Sequence, residues 1–172
     1  QDVFHRMSRM GKPVIAALHG VCIGMALELA LAADVRIATA DCVMGLPEIA
    51  FGLVPDVGGT TRLVRTIGES RERELILTGR MVKGHTAERY GLVHEIVDDA
   101  DALVPAARAK ADLMAAHAPA TMALAKTLCQ VSADADTATS FRLVGGFQQS
   151  LIAKPDPARF PQTLAFIPTQ IQ

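Results

Sequence analysis

The sequence has no tryptophan, one tyrosine, three cysteines and a formal net charge of only −1. A surface that binds nucleic acid through positive charge and stacked aromatic rings is therefore not expected. Cys22, Cys42 and Cys129 form no CxxC pair and lack metal-ligand spacing, so we interpret them as small core residues in a reducing compartment. No apolar run reaches transmembrane length and no signal-peptide pattern opens the sequence, which predicts a cytoplasmic protein without a membrane partner.

Several familiar catalytic signatures are also missing. The five histidines form neither HxxH nor HExxH, which argues against a metal site. There is no GxSxG for a serine nucleophile, and no glycine-rich phosphate loop. We therefore interpret the pair Gly58-Gly59 as a close backbone approach at the start of a helix.

The chain instead shows short apolar strands that alternate with helical segments. Strands are predicted over residues 13–18, 34–38, 42–44 and 92–97. Helices are predicted over residues 1–10, 25–33, 59–67, 70–78, 86–90, 101–117 and 119–131. Four of the nine prolines follow Gly146, so no long regular element is expected there. This alternation is typical of an α/β fold with crossover connections.

The stretch from Lys12 to Asp34 combines a strand, a glycine-punctuated turn at residues 20–24 and a helix that is apolar on nearly every side. We expect that helix to be buried all round. Glu28 is its one charged residue, and burial would raise the pKa of this carboxylate toward the range that a general acid or base needs. The helix N-terminus would offer backbone N–H groups to a developing negative charge. The structural alternative is a glutamate that pairs with an arginine or accepts from backbone amides.

A second isolated carboxylate, Glu48, lies in another apolar run. Two acids can divide acid and base work when their surroundings set their protonation apart. The alternative is a separate ion pair for each acid, with arginines such as Arg36 and Arg62. Asp56 is a third candidate, whose alternative role is the N-cap of the following helix.

Three stretches carry a resemblance to a known family: KPVIAALHGVCIGMALELALAADVRIA, LPEIAFGLVPDVGGTTRLVRTIG and RELILTGRMVKGHTAERYGLVHEIV. They resemble the enoyl-CoA hydratase/isomerase (crotonase) superfamily, and the resemblance covers roughly residues 12–97. It implies stacked ββα turns that form a spiral, with the active-site core in residues 1–100. Residues 101–172 would form a helical region that builds homotrimers or dimers of trimers.

The resemblance also implies a reaction, the hydration of 2-enoyl-CoA thioesters of the fatty-acid β-oxidation type. The acyl-CoA substrate would bring its own coenzyme A, and no other cofactor is implied. Glu28 falls on the glutamate that mainly activates water, and Glu48 on the one that mainly handles the α-carbon proton. The Met25 N–H falls on one half of the oxyanion hole. The implied substrate-binding residues are Gly24, Pro47 and Gly52.

Two alternatives stay open. An enoyl-CoA or dienoyl-CoA isomerase would use Glu48 or Asp56, because Asp56 matches an aspartate of dienoyl-CoA isomerases, although Glu28 stands where those enzymes have Asp. A non-catalytic crotonase-fold fragment is the other alternative, because the family's first third, with the second oxyanion N–H, has no counterpart in the sequence. The glycine-rich run of hydratases is also replaced by Gly24-Met25-Ala26. On these grounds a chain that begins at Gln1 is expected to be poorly soluble or nearly inactive.

Overall fold

The computed structural model describes residues 1–153. In this range the helices are α1 (Asp2–Arg9), α2 (Met25–Leu31), α3 (Gly59–Ile67), α4 (Glu69–Thr78), α5 (Gly84–Tyr90), α6 (Ala100–Ala115), α7 (Pro119–Ser132) and α8 (Thr137–Ile152). The strands are β1 (Ile15–Leu18), β2 (Val21–Ile23), β3 (Val35–Thr39), β4 (Val43–Gly45), β5 (Val82–Lys83) and β6 (Glu95–Val97). A 3₁₀ helix covers Glu48–Phe51. The predicted α/β class is confirmed.

The strands form two sheets whose connections repeat along the chain. One sheet has the order β1-β3-β6 and is parallel throughout. The other has the order β2-β4-β5, in which β2 and β4 are parallel and β5 is antiparallel to β4. After α2 the chain adds β3 beside β1 and then β4 beside β2. Successive ββα units are therefore stacked, and the chain advances as the expected spiral.

The turn predicted at residues 20–24 contains a strand, β2, that the sequence analysis missed. Gly20 has a φ of 64°, a left-handed conformation that favours glycine, and it separates β1 from β2. The three residues that follow pair with β4. A run this short is difficult to identify from periodicity, because three residues hardly show an alternation.

The α2 helix is buried on one side only, so the prediction of burial all round is wrong. Leu27, Ala30 and Leu31 face the core, whereas Met25 is 63% exposed and Leu29 is 39% exposed. The reason is geometric: α2 packs against β2 and α3, and these elements cover only part of its circumference.

The core between the layers is aliphatic, as the composition predicts. Its largest fully buried apolar side chains are Leu27, Ile37, Met44, Leu46, Leu63, Leu75 and Leu92. Cys22 and Cys42 are core residues, and burial raises the pKa of each thiol to about 11, so neither is poised as a nucleophile. Cys129 is exposed, which corrects its assignment to the core.

Two other predicted elements differ in detail. The cap of α4 is Gly68 and not Ser70, which lies within the helix. The predicted exposed strand at residues 92–97 is shortened to β6, while Leu92 and Val93 are buried just before it. These two residues enter the core as the chain leaves α5, and β6 then pairs with β3.

The helical region ends differently from the prediction. α8 was not predicted from the sequence, and it runs through Gly145 and Gly146 to Ile152. Its N-cap is Asp136, whose Oδ1 accepts from the Thr139 N–H at 2.9 Å, so the helix is well started before the glycines. The prolines of the tail lie outside the described residues. None of the helices within residues 1–153 has the length and apolarity that crossing a bilayer requires.

A buried ammonium group connects the helical region to the central stretch. Lys126 of α7 is 8% exposed, and its Nζ donates to Asp34 Oδ2 at 2.7 Å and to the Lys12 carbonyl at 3.1 Å. Asp34 Oδ2 also accepts from the Val14 N–H at 2.7 Å. Both ends of the strand–turn–helix stretch are therefore attached to α7 through one side chain.

We expect Lys126→Met to destabilise the fold by about 2–3 kcal/mol, because it removes a nearly buried, charged hydrogen-bond donor from the half-buried carboxylate of Asp34. The loss is moderated by the Val14 N–H and by the 27% exposure of the Asp34 side chain. Urea unfolding midpoints measure the effect. The matched control is Lys110→Met, which breaks the more exposed pair with Glu95 and should cost less than about 1 kcal/mol. Equal losses from the two variants would contradict this account.

Candidate active site

The Glu28 carboxylate lies in the interior, on the fourth residue of α2, and is 1% exposed. Its Oε1 accepts from the Gly59 N–H at 2.7 Å and from the Val57 N–H at 3.0 Å. Among residues 1–153, no donor bonds its other oxygen. One oxygen therefore holds the carboxylate in place, and the second remains available for chemistry.

The turn that supplies these amides requires glycine. A Cβ atom on Gly59 would lie 2.7 Å from Glu28 Oε1 and 2.8 Å from the Pro55 Cβ, so no side chain fits there. Gly58 has a φ of 104° and forms the N-cap of α3. The interpretation of the glycine pair as a close backbone approach at a helix start is confirmed. The group that comes close is the carboxylate of Glu28.

Burial raises the pKa of Glu28 above its ordinary value. The hydrogen bonds from Gly59 and Val57 oppose this effect, because they stabilise the ionised carboxylate. The negative charges of Glu48 and Asp56 raise the pKa further. The balance favours a carboxyl group that exchanges its proton nearer to neutral pH than a surface glutamate does.

Glu48 opens the 3₁₀ helix, and its carboxylate reaches the start of α2. Its Oε1 would lie 3.2 Å from a Cβ atom on Gly24, so the glycine leaves room for the carboxylate. Its Oε2 is buried and has no hydrogen-bond partner within residues 1–153. A buried acceptor without a partner is costly, and such atoms are typical of sites that receive a ligand or a proton.

Gly24 contacts both acidic residues, the carboxylate of Glu48 and the backbone N–H of Glu28. It caps α2 with φ 55° and ψ −132°, and its carbonyl accepts from the Glu28 N–H at 3.0 Å. Its own N–H donates to the Gly45 carbonyl at 3.0 Å. The next N–H, that of Met25, belongs to the first helical turn and has no acceptor within the helix. The structure thus gathers Gly24, Met25, Glu28 and Glu48 around the N-terminus of α2.

The other predicted site residues stand further from this centre. Asp56 is exposed, and its backbone carbonyl accepts from Gln1 Nε2. It does not cap α3, because that cap is Gly58 and makes no side-chain bond. Pro47 precedes the 3₁₀ helix, and Gly52 ends it with a φ of 69°. No hydrogen bond within residues 1–153 joins Asp56, Pro47 or Gly52 to either glutamate side chain.

Neither glutamate forms the ion pair that was weighed as its structural alternative. Arg36 donates to the Leu92 carbonyl at 2.6 Å and to the Ala33 carbonyl at 2.9 Å, and so bonds carbonyl groups instead of carboxylates. Arg62 donates to the Val57 carbonyl at 2.9 Å. Within the described range there is no ion pair to Glu28 or Glu48, whereas the alternative of backbone amides is realised at Glu28 Oε1.

The two amides that hold Glu28 were not predicted from the sequence. The Val57 amide carries no motif of its own, but the Gly58-Gly59 pair was a visible signal that something approaches the backbone there.

Within residues 1–153, no group of three or more His, Cys, Asp or Glu side chains could hold a metal ion.

Comparison with known proteins gives a consistent result. The family model described as enoyl-CoA hydratase/isomerase matches residues 1–159. A short-chain-enoyl-CoA hydratase of Clostridium acetobutylicum is 36% identical over 141 residues, which are 81% of this chain and 54% of that protein. Another, of Clostridioides difficile, is 39% identical over 128 residues, which are 74% of this chain and 81% of that protein.

The likeness extends to three dimensions. The crystal structure of an enoyl-CoA hydratase from Bacillus anthracis has a TM-score of 0.90 at 32% identity, and the match covers 95% of this chain and 63% of that one. The chain spans about half the length of several curated relatives that it matches. The match of the family model over most of the sequence, together with the shared spiral, shows that the chain belongs to the enoyl-CoA hydratase/isomerase family.

Proposed function

We propose that the chain hydrates 2-enoyl-CoA thioesters and so forms 3-hydroxyacyl-CoA, a reaction of the fatty-acid β-oxidation type. The observation that supports this most is the proximity of two glutamate side chains near the start of α2, where the charge of Glu48 acts on the pKa of Glu28. One of them, Glu28, is fixed through a single oxygen, and the other, Glu48, has a buried oxygen without a partner. Family membership limits the chemistry to that of hydratases and isomerases, and two of the relatives are named short-chain-enoyl-CoA hydratases.

In this proposal the two carboxyl groups move protons in complementary directions. Ionised Glu28 takes a proton from water as the water oxygen bonds to the β-carbon of the substrate. The electron pair of the double bond moves toward the thioester oxygen, where the Met25 N–H donates to the developing negative charge. Glu48 takes part in the form that carries a proton, which adds no negative charge beside Glu28, and delivers that proton to the α-carbon. A transfer from Glu28 back to Glu48 restores the starting state.

Double-bond migration is the second candidate. Asp56 directly precedes the turn that holds Glu28, and its charge raises the pKa of Glu28, so it is within electrostatic reach of the site. In an isomerase, Glu48 or Asp56 would move one proton between two carbons of the substrate, and no water would be added. The exposure of Asp56 favours hydration over this alternative.

We further propose that the chain forms homotrimers or dimers of trimers. Large apolar side chains remain exposed on the outer helices, at Val104 and Leu113 of α6 and at Phe141 and Ile152 of α8. Large apolar side chains exposed on helices are a feature of surfaces that pack against a partner.

A cytoplasmic location remains a prediction from the sequence.

Glu28→Gln and Glu48→Gln should each lower kcat for hydration of a short 2-enoyl-CoA by about 10²–10⁴-fold, because glutamine keeps the shape and cannot exchange a proton. Asp56→Asn should lower it by less than about tenfold, because this side chain bonds neither glutamate. Loss of the conjugated enoyl-thioester absorbance measures the rate, and product analysis identifies the reaction. A loss at Asp56→Asn as large as those of the glutamates, with a migrated double bond as product, would establish the isomerase.

The rate should fall at acid pH with a midpoint above 4.5, the ordinary pKa of a glutamate, because Glu28 must be ionised to accept a proton and its pKa is raised. Asp56→Asn should move this midpoint to lower pH, since it removes a negative charge that raises the Glu28 pKa. The measurement is kcat/KM as a function of pH for both proteins. A midpoint at 4.5 or below in the parent would contradict the assignment of Glu28 as the base.

Light scattering at micromolar concentration should return the mass of three or six chains, each of 18.3 kDa. Burial of the apolar faces of the outer helices provides the driving force. A stable monomer under the same conditions would rule out the proposed assembly.

A further inference from the structure

Arg62 occupies an unusual place beside the turn that holds Glu28. It lies in the first half of α3 and is half-buried, and its Nη1 donates to the Val57 carbonyl at 2.9 Å. Its backbone N–H donates to the Gly58 carbonyl at 3.0 Å. One residue therefore bonds two carbonyl groups of the turn, and the amides at Val57 and Gly59 bond Glu28.

Gly58 makes this contact possible. A Cβ atom there would collide with Arg62 Nη1 and lie 3.0 Å from the guanidinium carbon, so the guanidinium packs directly on bare backbone. The neighbouring Gly59 is equally bare where the carboxylate packs. The two glycines thus let a guanidinium and a carboxylate approach the same short piece of chain.

We propose that Arg62 is a positioning residue, which fastens the 57–59 turn so that its two amides hold one carboxylate oxygen of Glu28. It acts through the Val57 carbonyl and not as a counter-ion, because no ion pair to Glu28 is present within residues 1–153 and its guanidinium bonds a carbonyl. The role of the turn in catalysis rests on the proposed function, whereas the fastening itself does not.

The fastening has a measurable effect on proton affinity. The amide bonds of Val57 and Gly59 favour the ionised form of Glu28, so a looser turn raises the pKa of Glu28. The other charged groups around this carboxylate are Glu48 on the 3₁₀ helix and Asp56 before the turn, and both remain unchanged in an Arg62 variant. The charge of Arg62 also interacts with Glu28, so its loss alone would raise the pKa of Glu28. A shift reports on the turn only in a variant that keeps the positive charge, which is Arg62→Lys.

The test is a ¹³C NMR titration of the glutamate carboxyl carbons in the labelled full chain. The Glu28 resonance is identified by its disappearance in Glu28→Gln. In Arg62→Met the titration midpoint of Glu28 should rise by about one pH unit. Arg62→Lys should also raise it, since lysine keeps the positive charge but has a shorter side chain without the Nη1 that bonds the Val57 carbonyl.

The matched control is Arg65→Met, which removes an exposed arginine of the same helix that pairs with Asp134. Its midpoint should equal that of the parent. If Arg62→Met fails to fold, Arg62→Lys decides the question, because it keeps the positive charge and changes the group that bonds the Val57 carbonyl. A midpoint in Arg62→Met or in Arg62→Lys equal to that of the parent would overturn the proposal.

A parallel hydration assay separates this inference from the proposed function. If Glu28→Gln hydrates enoyl-CoA as fast as the parent, the proposed function fails, while the NMR midpoints still decide the role of Arg62. If Glu28→Gln is inactive and the Arg62 midpoints match that of the parent, only the positioning role fails. A rise in midpoint together with a lower kcat at unchanged KM supports both.

Discussion

The arrangement of this site depends on two backbone amides that bond one oxygen of a buried carboxylate. Without them Glu28 could not remain ionised in the interior, because the free energy needed to remove an unpaired carboxylate from water is too large. The bonds also leave the second oxygen of Glu28 without a donor. Glycine is required at positions 24, 58 and 59, because at each of them a charged side chain approaches the backbone so closely that a Cβ atom would crowd it.

Much of the fold could be predicted from the sequence, because most of its elements are long enough to show a pattern. The helices that became α3, α6 and α7 have clear start and stop signals, and the structure has them close to the predicted bounds. The missed strands, β2 and β5, have three and two residues, too few to show an alternation. The burial of α2 was overestimated because an apolar sequence does not show how many neighbours cover a helix.

The two acidic residues of the candidate site could be identified from the sequence, because each is a single charged residue within an apolar segment. Glu28 and Glu48 were visible for that reason, and the structure brings both to Gly24. The two backbone amides that bond Glu28 could not be predicted from the sequence. Nearly every residue has a backbone N–H, and only the fold determines which of them point toward the carboxylate. Arg62 was weighed as an ion-pair partner, since sequence shows its charge and not the carbonyl that it bonds.

The bond between Lys126 and Asp34 joins residues 92 positions apart, and this separation has a consequence for the order of folding. On the ribosome, the segment that carries Glu28 and Asp34 is synthesised well before Lys126, the residue that attaches it to α7. At about 5–20 residues per second, synthesis of the intervening chain takes roughly 5–18 s. During that interval the Asp34 carboxylate lacks the ammonium group that it bonds in the complete fold. The newly made chain therefore passes through a stage in which the segment that carries Glu28 has been synthesised but is not yet attached to α7.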